Sequence, residues 1–198
     1  MDKFKNKYRI ASARLQNWDY GSPGLYFITI CTKNHECYFG DITTVETQCI
    51  ASLQPMTSIQ TTKIGQIAET EWLKTPEIRP DMNIELGEFV VMPNHFHGII
   101  IIGGNKYNND CRDAMHGVST TTIKTPTKNK FGPQIKNLGS IVRGFKSSVT
   151  TFATKNNIVF GWQERFHDHI IRSHDEYLRI SNYIINNPAN WGKDKFFK

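Results

Sequence analysis

No apolar stretch of this 198-residue chain approaches the roughly 18–20 residues that cross a bilayer; the run Ile99–Ile102 stops at Gly103-Gly104. The opening residues, MDKFKNKYRIASARL, are basic but lack the apolar core of a secretory signal, so the expected location is the cytoplasm. The four cysteines, Cys31, Cys37, Cys49 and Cys111, form no CxxC and share no spacing. A zinc ribbon is therefore not supported, and without a secretion signal the thiols are expected to be free. No segment repeats. Hydrophobic residues make up 38% of the chain, a globular composition once glycine is added, which excludes wholesale disorder, collagen and coiled coil.

Acidic residues are scarce at the start: Asp2 alone stands against Lys3, Lys5, Lys7, Arg9 and Arg14 in the first fourteen residues. A second basic stretch runs from Lys124 through Lys128, Lys130 and Lys136 to Arg143 and Lys146. With 24 Lys+Arg against 18 Asp+Glu the net charge is +6, which suits a polyanionic partner without identifying one. At roughly 150 residues per domain the length predicts a single domain over residues 1–198. It would carry a basic N-terminal arm (about residues 1–20) and a mobile insertion loop (about residues 103–133), the latter for want of any apolar period.

Leu25 to Thr32 is aromatic and β-branched, follows the turn signal Gly21-Ser22-Pro23-Gly24, and reads as a strand. Gly40 to Gln60 is Thr/Ser-rich and reads as irregular. Ile64, Ile67, Ala68, Glu71, Trp72 and Leu73 follow helical spacing until Pro76 and Pro80. Ile84–Met92 and His95–Ile102 read as two strands of a hairpin broken at Pro93-Asn94. Leu138, Ile141, Val142, Phe145, Val149 and Phe152 mark an amphipathic helix, with Arg143, Lys146 and Ser147 off its apolar stripe. Val159–Ile171 reads as a fourth strand. Ser173 and Glu176 form a capping-box pattern opening a last helix that Pro188 stops. The order predicts an α+β fold, the ferredoxin-like split β-α-β-β-α-β antiparallel sheet, with an additional C-terminal helix. A superfold of this kind does not choose a function.

The chemistry has to come from particular side chains. His95 and His97 stand at i and i+2 of a strand and so share a face, with Phe96 on the other. Two imidazoles a few ångströms apart are not comfortably both protonated, and they make a natural ligand pair for a divalent metal. His167 and His169 form a second such pair and remain a rival. Tyr183 and Asn187 lie four apart on the last helix, hence on one face. Asn187 precedes Pro188, so its backbone is expected to leave the helical region. A tyrosine, two strand histidines and a polar helix residue suit phosphodiester transfer: a metal offsets charge on the phosphate while a phenolate attacks phosphorus. Tyr177, six residues before Tyr183, points elsewhere on the helix and is expected to pack. Arg143, Lys146 and Arg165 are candidate phosphate contacts; Trp162, Phe166 and Tyr38 could stack on unpaired bases but suit a core as well.

Four blocks, in order, resemble one known family. Glu88 to Ile100 (EFVVMPNHFHGII) is similar to the HUH motif (histidine, hydrophobic, histidine) of the single-strand DNA tyrosine transposases. Tyr183-Ile-Ile-Asn-Asn-Pro188 resembles the tyrosine helix of their repeat-associated relatives, Trp162–His169 the strand before it, and Pro23–Thr32 their first strand. The resemblance implies that Tyr183 is the nucleophile and that His95, His97 and Asn187 hold Mg²⁺ or Mn²⁺. It also implies cleavage of single-stranded DNA near a hairpin or palindromic repeat through a 5′-phosphotyrosine. Monomer and homodimer both stay open, and no membrane is implied. Two other functions fit the same residues: a hairpin-binding module without chemistry, and a metal-dependent phosphodiesterase that uses water.

Overall fold

The computed structural model describes residues 15, 18–45, 56–105 and 135–197. The basic residues of the expected arm, Cys49, Cys111 and the expected insertion loop from residue 106 onward lie outside them. Of the arm, Trp18 packs against the core and Tyr20 is buried.

The strands are β1 (Gly24–Cys31), β2 (Gly40–Val45), β3 (Met56–Thr61), β4 (Ile84–Val91), β5 (His95–Ile102) and β6 (His167–Ile171). The helices are α1 (Lys63–Leu73), the one-turn α2 (Thr75–Ile78), α3 (Leu138–Lys155) and α4 (His174–Asn186). The main sheet has the order β4-β5-β1-β6 with every neighbouring pair antiparallel, which is the strand order of the split β-α-β-β-α-β arrangement.

β5 is buried almost throughout, as its near-continuous apolar run requires of a strand with a neighbour on each side. Alternation sends Tyr26, Ile28, Ile30, Phe96 and Ile100 to one face, where they meet Ala68 and Trp72 of α1 and Ile141, Phe145 and Val149 of α3. Ile99 and Ile171 go to the other face and meet Ile180 and Ile184 of α4. The extra helix therefore covers the sheet face that α1 and α3 leave open. α3 begins at a full capping box, in which Asn137 and Ser140 satisfy each other's backbone N–H groups.

Gly98 shows why the histidine strand needs a glycine. A Cβ there would stand 2.7 Å from Cζ2 of Trp72 and 2.9 Å from Cε1 of Phe96. Trp72 is fully buried and its ring centroid lies 4.6 Å from that of Phe96 and 5.4 Å from that of Phe145. Gly98→Ala is expected to cost about 1–3 kcal/mol through overpacking, read as a lower urea midpoint. An unchanged midpoint would mean that Trp72 can step aside.

Three expectations are corrected. The described residues of Gly40–Gln60 are not irregular: β2 and β3 form an antiparallel ribbon running from the pair Gly40–Thr61 to Val45–Met56. Its threonines suit a strand but give no apolar alternation to read. The expected fourth strand over Val159–Ile171 pairs only from His167. Ahead of it Trp162 makes a single bridge to Thr32, and Phe160, Trp162 and Phe166 pack against the core, so their apolar character reflects anchoring and not a ladder. Asn187 keeps helical angles (φ −59°, ψ −42°) despite Pro188, because Pro188 opens a 3₁₀ turn (Pro188–Lys193) whose first position tolerates proline.

Candidate metal centre and tyrosine site

In β5, His95 and His97 project to the α4 side of the sheet while Phe96 joins the aromatic cluster around Trp72. Their ring centroids are 4.5 Å apart. Across the β1–β5 ladder they face Cys31 and Thr29. His95 is 0% and His97 1% exposed. Burial above all, then His35 and Lys195 in one case and His95 in the other, pushes both imidazoles down to about 3. Both rings are thus neutral at neutral pH, the state in which imidazole binds a metal.

Each ring is held from behind. Nδ1 of His97 lies 2.8 Å from Oγ1 of Thr29, and Nδ1 of His95 lies 2.9 Å from Oδ1 of Asn94. The Nε2 atoms point into the site: that of His97 meets the Tyr183 hydroxyl at 3.2 Å, and that of His95 is buried with no hydrogen-bond partner. Holding one imidazole nitrogen to orient the other is how metal-binding histidines are supported.

α4 brings the other half of the site. Ser173 caps it by accepting from the Glu176 N–H. The Glu176 carboxylate does not complete the expected box; it accepts from the Arg172 N–H and lies 2.8 Å from His169. Ile180 and Ile184 seat the helix on the sheet, which turns Tyr183 over His97, with its ring edge-on to Phe27 at 6.2 Å. Tyr183 is 41% exposed. Partial burial, with Asp194 second, raises its phenol above the ordinary value, so it is protonated at neutral pH.

The residues after α4 complete the group. Nδ2 of Asn187 donates to Oδ2 of Asp194 at 3.1 Å, which leaves Oδ1 of Asn187 buried and without a partner. Oδ1 of Asp194 accepts from the Phe196 N–H at 2.7 Å, and the Phe196 ring covers His95 at 4.7 Å. One ligand atom each of His95, His97 and Asp194 lies within 4.8 Å of the others. Two imidazoles, a carboxylate and an amide oxygen fit a divalent cation, and the orphaned buried atoms of His95 and Asn187 are those such an ion would satisfy. Sequence reasoning missed Thr29, Asn94 and Asp194. Asn94 precedes His95 and Thr29 lies in the first strand, but nothing in the sequence marks either as a partner of the histidines. Thr29 is matched to His97 by the β1–β5 register, and nothing in the sequence marks Asp194.

The rivals lie elsewhere. His167 and His169 are exposed on the edge strand β6, and His169 is engaged with Glu176. Tyr177 packs against the Ile99 cluster. Arg143 and Lys146 stand on α3, across the sheet from Tyr183. Nζ of Lys146 donates to the Gln163 carbonyl and lies 5.7 Å from the Trp162 ring centroid, and burial lowers its pKa. Arg143 shares a cleft with Arg79, Lys136 and Ser140, and Arg165 precedes β6. Trp162, Phe166 and Tyr38 are engaged in aromatic and core packing. Among the described residues no helix is long and apolar enough to cross a membrane.

The chain has the fold of a solved REP-associated tyrosine transposase bound to a REP hairpin, with a TM-score of 0.51 and 19% identity over 94% of this chain and 77% of that one. No protein-family model matches. A Haemophilus influenzae protein, described only as uncharacterized, is 37% identical over 187 residues, covering 94% of this chain and 92% of the relative. The chain belongs to the family of that protein.

Proposed function

We propose that the protein is a metal-dependent single-stranded DNA endonuclease and strand transferase of the HUH tyrosine transposase type, acting near hairpins with Tyr183 as nucleophile. The observation that carries this reading is convergence. The Tyr183 hydroxyl lies 3.2 Å from Nε2 of His97, beside the unpartnered Nε2 of His95 and Oδ1 of Asn187. The solved structure of similar fold holds a REP hairpin, which supports hairpin DNA as the partner here.

His95, His97 and Asn187 would hold the metal, with Asp194 beside them. A divalent ion held there would supply positive charge to polarise the scissile phosphate. Imidazole and amide donors suit Mn²⁺ at least as well as Mg²⁺, which prefers oxygen. Tyr183, half-buried and held at the edge of Phe27, points its oxygen at that place without a large ordering cost. Its oxygen forms a bond to phosphorus as the bond to the preceding 3′-oxygen breaks. The phenolic proton leaves and the 3′-oxygen gains one, giving a 5′-phosphotyrosine and a free 3′-OH. A later 3′-OH can reverse the exchange, so strand transfer needs no external energy source.

Covalent capture tests the reading. Incubation with single-stranded hairpin oligonucleotides and Mn²⁺ should leave a nucleotide on the Tyr183 peptide, and a chelator should prevent it. Tight hairpin binding without an adduct would point to the binding module, and cleavage without an adduct to the water-dependent phosphodiesterase.

Arg143 and Arg165 are proposed as phosphate contacts. Replacing either by alanine is expected to reduce the slope of log affinity against log salt by about one. Lys146, tied to Gln163 and Trp162, is the weakest of the three; Lys146→Ala should cost stability more than affinity. Unchanged slopes in filter binding would remove the arginines from the interface.

A further inference from the structure

We infer that Asn94 is a positioning residue: its side-chain amide fixes the proton of His95 on Nδ1 and so presents Nε2 as a bare lone pair to the metal, with His95 read as a ligand as proposed above. Asn94 lies in the turn between β4 and β5 and is 0% exposed. One end of its amide is 2.9 Å from Nδ1 of His95. The other end is 2.7 Å from the Phe196 carbonyl oxygen and 3.2 Å from that of His35. Carbonyl oxygens only accept, so that end is the NH₂ group and both its hydrogens are used. The end facing His95 is then the oxygen, which can only accept. Nδ1 of His95 must therefore carry the hydrogen, and a neutral imidazole has one hydrogen to give. Nε2 is left bare, and it is the buried atom without a partner.

The amide cannot easily flip or swing away. A flip would set its oxygen against two carbonyls. The backbone of Asn94 is also held, because its carbonyl accepts from the N–H of Thr32 at 3.0 Å and from the Thr32 hydroxyl at 2.9 Å. One side chain thus joins the loop after β1, the turn before β5 and the C-terminal residues. The side chain that orients the ligand also anchors Phe196, the ring that covers it.

The two halves of the amide can be separated by substitution. Asn94→Asp keeps an acceptor for His95 but has no donor for Phe196 or His35. Asn94→Ala has neither. The first measurement uses the full wild-type chain, labelled with ¹⁵N and treated with chelator, and reads the ring nitrogens of His95, identified by their loss in His95→Ala. A protonated Nδ1 with an unprotonated Nε2 is expected; hydrogen on Nε2 would overturn the inference. It needs no DNA and no metal, and no substitution at position 94 that could fail to fold. Calorimetric titration with Mn²⁺ follows. Asn94→Ala should bind about 10–100-fold more weakly, the usual loss when such a supporting partner is removed. Asn94→Asp should hold the wild-type tautomer and bind Mn²⁺ more tightly than Asn94→Ala, while the amides of residues 194–197 exchange faster than in the wild type. Wild-type Mn²⁺ affinity in Asn94→Ala would also overturn the inference. A wild-type chain that takes up no Mn²⁺ would instead overturn the functional reading, leaving the tautomer to be judged by its own spectrum.

Discussion

Tyr183→Phe is expected to abolish the covalent adduct and to lower cleavage by about a thousandfold or more, as removal of a nucleophile does, with the fold and hairpin binding kept. The ring's place depends on its edge-on contact with Phe27 and on the seating of α4 by Ile180 and Ile184, all of which a phenyl ring preserves. The hydroxyl gives up its hydrogen bond to Nε2 of His97 at 3.2 Å, worth about 0.5–1.5 kcal/mol. Since burial and Asp194 keep the phenol protonated, no charge is removed at neutral pH either. Denaturing gels would report the adduct and the cut, and a thermal melt the fold. Cleavage that persists in the variant would assign the attack to water. Hairpin binding lost together with cleavage would make Tyr183 an interface residue.

Whatever depended on one segment's own period could be read from the chain. The apolar stripe of α3 and the alternation of β1 and β5 each follow from side-chain spacing along one element. So does the placing of His95 and His97 on one face, and of Tyr183 and Asn187 one turn apart. That these two pairs meet was implied by the family resemblance alone; the structure shows it in the seating of α4 against Ile99 and Ile171 and in the contact of Tyr183 with His97. The ribbon of β2 and β3 was illegible because Thr43, Thr44, Thr57 and Ser58 are polar in both phases of a strand. Asn187 departs from the steric bias of a residue before proline because its N–H still donates to the Ile184 carbonyl and its side chain to Asp194. Asp194 could not be found at all: its role comes from a fold-back that places it near residues almost a hundred positions earlier. Asn94 and Thr29 lay in plain sight, and only the hydrogen bonds of the folded chain distinguish them from ordinary turn and strand residues.

The histidine pair gives the last and largest effect on ion binding. Mn²⁺ at a hundred times its dissociation constant should stabilise the wild-type protein by about 2.7 kcal/mol, which for a chain of this size raises the melting midpoint by about 5–10 °C. In the double variant His95→Ala/His97→Ala the shift should vanish, and cleavage with it. The two single variants should not match each other in the presence of chelator. His95→Ala leaves Oδ1 of Asn94 buried without a donor, a cost of about 1–3 kcal/mol. His97→Ala leaves the Thr29 hydroxyl, which can rotate to another partner, and the Tyr183 hydroxyl, which can turn to water because that side chain is 41% exposed. His95→Ala should therefore melt at the lower temperature even though both changes remove the same ring. Differential scanning with chelator and then with Mn²⁺ reads both effects in one series. A shift that survives in the double variant would place the ion somewhere other than between β5 and α4, and equal melting of the two singles would mean that Asn94 finds a replacement donor once the imidazole is gone.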